Sequence, residues 1–209
     1  MYKKALIHFK KHDPKLHRVS LQFKIDDLEQ TNDLFRDIVW TIIGQQLSGK
    51  AADTIFGRFE KLFPVKNITP QKIMKLNDKK MRESGISGAK IRALRDLSLK
   101  VVSGELNLEQ LPSLPDIEVI QELVKVKGIG PWTAEMVLMF SLGRTDVFSI
   151  GDLGLKNGLM HLYGWKKLPS EKKLGSIINK WSPYKTYAAK ILWKIADKKK
   201  IEKKSAVTR

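Results

Sequence analysis

The stretch "VKGIGPWTAEMVLMF", residues Val126–Phe140, decides how this chain is read. Two glycines flank an isoleucine, a proline follows, and an apolar helical pattern begins. Upstream lies a second apolar helical pattern, "IEVIQELVKV" (117–126), so Lys127-Gly128-Ile129-Gly130 is a hairpin between two helices. Glycine permits φ > 0 and lets another backbone approach closely. Pro131 suits the first position of a helix, where its missing N–H would be unpaired anyway. The amides of such a turn, with the positive end of a helix dipole behind them, make an anion site that a phosphate fits. Lys125 and Lys127 add charge beside it. A bare Gly-x-Gly is more often only a tight turn. Its place between two helices, with lysines at the tip, favours contact with a DNA backbone irrespective of base sequence.

Composition points the same way. The chain has 209 residues, with 39 Lys+Arg against 22 Asp+Glu, a formal net charge of +17. Such an excess favours a polyanionic partner. No apolar run approaches the roughly 18 residues of a membrane span. The N-terminal "MYKKALIHFKKHDPK" has no apolar signal core. An intracellular protein is expected, in cytoplasm or nucleoid, or in the nucleus if the source is eukaryotic. There is no cysteine, which excludes disulfides, thiolate zinc sites and a cysteine-ligated iron–sulfur cluster.

The rest reads as all-α. "TNDLFRDIVWTII" is a helix capped at Thr31 or Asn32, with Leu34, Ile38 and Ile42 as its buried stripe. Ser48 caps "GKAADTIFGRFEKLF", which places Ile55, Phe59 and Leu62 on one face. "TPQKIMKLN" and "DKKMRESG" are short helices, and "AKIRALRDLSLKVVSG" ends at Gly104. "LPSLP" is a stiff connector, after which Asp116 caps the helix leading to the hairpin. "GRTDVFSIGD" is a loop, and a short helix follows Asp152. "SEKKLGSIINKW" is a helix, and Ser182 caps the last long one with Pro183 at its first position. "RVSLQFKI" alternates as a strand does, but a ribbon or a loop fits it equally. The final "KKKIEKKSAVTR" is expected to fray. His8 and His12 are four apart, with Asp13 and His17 nearby; a solvated surface is the expected reading, and no catalytic metal or cofactor is expected.

Four motifs in order resemble the helix–hairpin–helix DNA glycosylase superfamily: "IIGQQLSGKAA", "LVKVKGIGPWTAEMVL", "DVFSIGDLGLKNGL" and "WSPYKTYAAKILW". Together they span most of the chain from Ile38 to Trp193. The likeness is greatest to the DNA-3-methyladenine glycosylase II (alkylpurine) group. It implies a two-lobed helical fold with the active site in the cleft between lobes. The middle lobe would cover about 48–145 with the hairpin 127–130, and the second about 1–47 plus 146–198, leaving 199–209 as a basic tail. It also implies base flipping, in which a damaged nucleotide is turned out of the duplex. The partner would be double-stranded DNA with alkylated bases, and the protein a monomer.

Residue by residue, the resemblance makes Asp152 the catalytic carboxylate. Cleaving an N-glycosidic bond builds positive charge on the sugar, which a carboxylate near C1′ stabilises while orienting water. The plain alternative is a helix cap. Trp132 stands where related bifunctional glycosylases carry a Schiff-base lysine. An indole there, one turn from Met136, offers a wall on which cationic purines stack; as a core, Val137 and Phe140 fit better. Trp193 is equally a pocket wall or a core residue. Gln45 and Gln46, with Ser48, match the loop that enters the minor groove, and Gln46 or Leu47 the wedge that fills the hole left by the flipped base. DNA-backbone contact falls to Lys125, Lys127, Gly128, Ile129 and Gly130. Carbonyls of Val124, Val126 and Ile129 match the positions of a sodium or potassium ion held when DNA binds. Two other classes stay open: a non-catalytic damage-sensing module, and a glycosylase for deaminated or oxidised bases.

Overall fold

The computed structural model describes the backbone of residues 1–207 and side chains to residue 198. It has twelve α-helices among those residues and no strand. The stretch read as strand or loop ends a helix at Ser20 and continues as a loop. None of the described helices is long and apolar enough to cross a membrane.

The chain divides into two units: Glu29–Gly143, and Met1–Leu28 together with the chain from Arg144 onward. The first boundary therefore lies at Glu29, not near residue 48. The reason is α3 (Leu34–Gly44), whose Ile38, Val39, Ile42 and Ile43 are buried and which packs on helices of the middle unit. A loop residue at Asp33, not Thr31 or Asn32, caps it by accepting from the Arg36 amide at 3.0 Å.

The middle unit continues with α4 (Gly49–Glu60), α5 (Pro70–Lys75), α6 (Asp78–Glu83), α7 (Gly88–Ser103), α8 (Asp116–Leu123) and α9 (Pro131–Phe140). Helix α3 packs on α4, α7 and α9, and α8 packs on α9 across the hairpin. In α4 the buried face is Ala52, Phe56 and Phe59, one step round from the expected Ile55–Phe59–Leu62 face. Pro115, not Asp116, precedes α8, and Asp116 sits in its first turn, where a carboxylate favours the dipole. The two ends of this unit lie side by side: the Thr31 amide donates to the Ser141 carbonyl at 2.8 Å. Gly143 turns there with φ +65, where a Cβ would meet the Glu29 backbone at 3.1 Å.

The terminal unit holds α1 (Tyr2–His12), α2 (Pro14–Ser20), α10 (Leu153–Tyr163), α11 (Glu171–Asn179) and α12 (Lys185–Val207). Its core includes Phe9, Leu16, Trp181 and Tyr187, all fully buried. Asp13, read as solvated surface, is also buried. It accepts from the Leu16 amide at 3.0 Å, from Trp181 Nε1 at 2.9 Å and from the Tyr163 hydroxyl, so a buried charge is satisfied by donors. His8 Nε2 donates to the Lys180 carbonyl at 2.8 Å, and its ring stacks on His12. Helix α12 starts at Lys185, two residues past Pro183. Ser182 does not cap it but donates to Asp146 Oδ2 at 2.7 Å. The segment expected to fray continues α12 to Val207; residues 208–209 lie outside the described residues.

Candidate functional site

The hairpin is built on a buried base. Val126 and Ile129 are nearly inaccessible, and the Ile129 amide closes the turn on the Val126 carbonyl at 3.0 Å. Gly128 has φ +85, and a Cβ on it would come within 3.0 Å of Ala93 Cβ on α7; only glycine fits both conditions. Gly130 differs: its backbone is extended, and a Cβ there would meet nothing within 4 Å. The turn does not present all its amides. Lys127 N–H donates to Asp96 Oδ2 at 2.8 Å, which leaves Gly128 and Gly130 as its open backbone donors among the described residues. Lys125 is paired with Glu122 at 2.7 Å, whereas Lys127 is exposed.

The loop after α3 separates the two glutamines. Gln45 Nε2 donates to the Gly128 carbonyl at 2.9 Å and to Thr133 Oγ1 at 3.0 Å, so its amide ties the loop to the hairpin. Gln46 is exposed with φ +58, a left-handed backbone uncommon outside glycine and asparagine. Leu47 is exposed beside it. Ser48 caps α4 as expected, accepting from the Ala51 amide at 3.4 Å. Lys90, not foreseen from sequence, reaches from α7 to the carbonyls of Ile43 and Gln45 at 2.7 and 2.9 Å. It neutralises the negative end of α3, and burial pushes its pKa down. On α9, Trp132 is 37% exposed and Met136 only 7%. Val137 is core as expected, but Phe140 is 46% exposed and is not.

In the terminal unit Asp152 caps α10, accepting from the Leu155 amide at 2.8 Å. The same oxygen, Oδ1, accepts from Trp193 Nε1 at 2.9 Å. Trp193 is therefore a hydrogen-bond partner of the carboxylate, a placement that neither a pocket wall nor a core residue alone describes. The pairing needs Gly154: a Cβ there would lie 2.8 Å from Trp193 Cδ1 and 3.1 Å from Asp152 Oδ1. One turn on, a Cβ at Gly158 would lie 2.4 Å from the Leu192 carbonyl oxygen. These glycines let α10 and α12 approach closely enough for the indole to reach the cap.

A family model described as "HhH-GPD superfamily base excision DNA repair protein" matches residues 39–183. The chain belongs to the HhH-GPD superfamily. It is 35% identical to DNA-3-methyladenine glycosylase 1 of Schizosaccharomyces pombe over 77% of this chain and 71% of that one. Among solved structures it resembles the S. pombe 3-methyladenine DNA glycosylase in complex with abasic DNA, with TM-score 0.83, 32% identity and coverage of 91% and 95%. A DNA-3-methyladenine glycosidase of Bacillus halodurans gives TM-score 0.76 and 38% identity, covering 90% and 87%.

For this HhH-GPD chain, sequence reasoning missed Gly154, Gly158 and Lys90. The small-residue spacing in "DLGLKNGL" is a usable signal for the glycines, since i and i+4 share a helix face. Nothing local marks Lys90. Gly154→Ala is expected to displace the Trp193 indole from Asp152. Base release should fall several-fold with DNA affinity unchanged, and the Trp193 contribution to near-ultraviolet dichroism should change. Unchanged dichroism and rate would show that the indole–carboxylate pair does not depend on that glycine.

Proposed function

We propose that the chain is a monofunctional DNA glycosylase that hydrolyses the N-glycosidic bond of alkylated purines, 3-methyladenine foremost, and leaves an abasic site. The observation that carries this is the Asp152 carboxylate held by the Trp193 indole, in a chain of a base excision repair superfamily. Capping α10 needs only the Leu155 amide; the added indole on the same oxygen is what favours a catalytic carboxylate over a cap in a pure DNA binder. As the glycosidic bond breaks, charge develops on the sugar, and Asp152 offsets it and orients the attacking water. The leaving base needs no strong general acid, because a purine methylated at N3 or N7 already carries positive charge.

Trp132 and Met136 are assigned to stacking on the flipped base, Gln46 or Leu47 to the wedge, and Lys127 with the Gly128 and Gly130 amides to backbone phosphate. The Val126 carbonyl accepts one hydrogen bond and keeps a second lone pair for a monovalent cation shared with Val124 and Ile129. Incubation with methylated duplex DNA, followed by chromatography of the released bases, is expected to show free methylated purines. DNA binding without any released base would leave the damage-sensing reading in its place.

Absence of strand cleavage follows from the same assignment. Lyase chemistry needs an amine that forms an imine with C1′, and an indole cannot. Among the described residues, the two lysines whose pKa burial pushes down, Lys90 and Lys190, have Nζ engaged by main-chain carbonyls. Borohydride is expected to trap no protein–DNA adduct, and Trp132→Ala to lower base release on the order of fivefold, the worth of about 1 kcal/mol of stacking. An adduct formed in good yield, and lost when one lysine is replaced, overturns the monofunctional assignment.

A further inference from the structure

A second basic feature lies wholly within the terminal unit, in neither the hairpin nor the Asp152 site. A groove of about 670 Å³ opens between the start of α2, the end of α10 and α11; its lining includes Lys15, Arg18, Tyr163, Trp165, Lys173 and Lys180, together with His12 and the largely buried Asp13. Its volume is within the range of small-ligand sites. The Tyr163 and Trp165 rings stack at 4.5 Å and 19°, and Lys15 Nζ lies 5.5 Å from the Tyr163 ring centre. The wall is fixed from behind: the Tyr163 hydroxyl donates to buried Asp13, which is itself held by Trp181 Nε1 and the Leu16 amide. None of Lys15, Arg18, Lys173 and Lys180 pairs with a carboxylate among the described residues.

We propose that this groove binds an unpaired nucleotide, with the base on the outer face of Trp165, whose inner face is backed by Tyr163, and phosphate between Arg18, Lys173 and Lys180. A flat aromatic surface ringed by cations is the arrangement that holds single-stranded nucleic acid, because every base has a face that stacks and every phosphate a charge that pairs. Duplex DNA does not fit the same chemistry, since its base faces are already covered by neighbours. An acidic peptide would satisfy the cations but leave the aromatic wall unused. The ligand is therefore an unpaired nucleotide, in a single strand or free in solution. The groove shares no residue with the Asp152 site or the hairpin, so nucleotide binding there does not depend on glycosylase activity.

The test uses the full chain and a labelled ten-nucleotide oligothymidylate followed by fluorescence anisotropy. Trp165→Ala, and separately the pair Lys173→Glu and Lys180→Glu, are each expected to weaken binding about tenfold, or about 1.4 kcal/mol. Base release from methylated duplex DNA should stay within about twofold of the wild type. The exposed pair Lys79→Glu and Lys80→Glu on α6 makes the same charge change elsewhere and should have little effect on the oligonucleotide. Thymidine monophosphate should displace the oligonucleotide better than inorganic phosphate at equal concentration. Displacement by the mononucleotide as complete, per nucleotide, as by unlabelled oligonucleotide identifies free nucleotide as the source, and weaker displacement identifies the single strand. Unchanged affinity in both groove variants, equal loss in the α6 control, or equal competition by phosphate overturns the proposal.

Discussion

Asp152→Asn is expected to lower base release from methylated duplex DNA by about 10²–10³-fold, the range for removing a group aimed at developing charge. The substitution isolates charge from architecture. Asparagine caps helices about as well as aspartate, and its Oδ1 still accepts from the Leu155 amide and Trp193 Nε1, the two donors that now meet at Asp152 Oδ1. Those bonds weaken because they are no longer charge-assisted, yet α10 keeps its start. Thermal unfolding and DNA affinity should therefore stay close to wild type while kcat collapses, because the proposed role of the carboxylate is on the transition state and not on phosphate. Asp152→Ala is a poorer test, since loss of the cap alone costs about 0.5–2 kcal/mol. Single-turnover release of 3-methyladenine at saturating enzyme is the measurement. Full activity in the asparagine variant would remove Asp152 from the mechanism.

Gly130→Val is expected to weaken binding to duplex DNA by about 10–100-fold, roughly 1.4–2.7 kcal/mol, and to do so alike for every base sequence. Gly130 is extended and open, so a valine side chain fits the free protein without strain. It then stands in front of the amides at the start of α9, where a phosphate would sit. The slope of log K against log salt concentration should become shallower by about one, the loss of one phosphate contact. Gly128→Val tests something else. With φ +85 and Ala93 Cβ at 3.0 Å, that variant is strained before any DNA is present, so its weaker binding would mix folding with recognition. Unchanged affinity of Gly130→Val at every salt concentration would place the backbone contact elsewhere.

The helical architecture was legible because its signals are local. Glycine and proline set the turn, Ser48 and Asp152 announce caps, and helical spacing marks buried stripes. Errors came where two local signals competed. Thr31, Asn32 and Asp33 are all capping residue types, and only packing of α3 selects the third. Ser182 and Pro183 look like a helix start, but Asp146 claims the serine hydroxyl and α12 begins later. Asp13 was read with its neighbouring histidines as surface because its three donors lie up to 168 residues away.

By itself the sequence determined that this is a basic all-helical chain with a Gly-Ile-Gly hairpin and with Asp152 placed as a helix cap, since caps, turns and charge depend on residues close in the chain. Tertiary structure alone decided which glutamine is committed to the hairpin and which is exposed, that Lys90 closes the end of α3, that Gly128 is a packing requirement while Gly130 stays open, and that Trp193 meets Asp152. Each of those depends on contacts between residues far apart in the sequence; for the last, a Cβ at Gly154 or Gly158 is enough to change it.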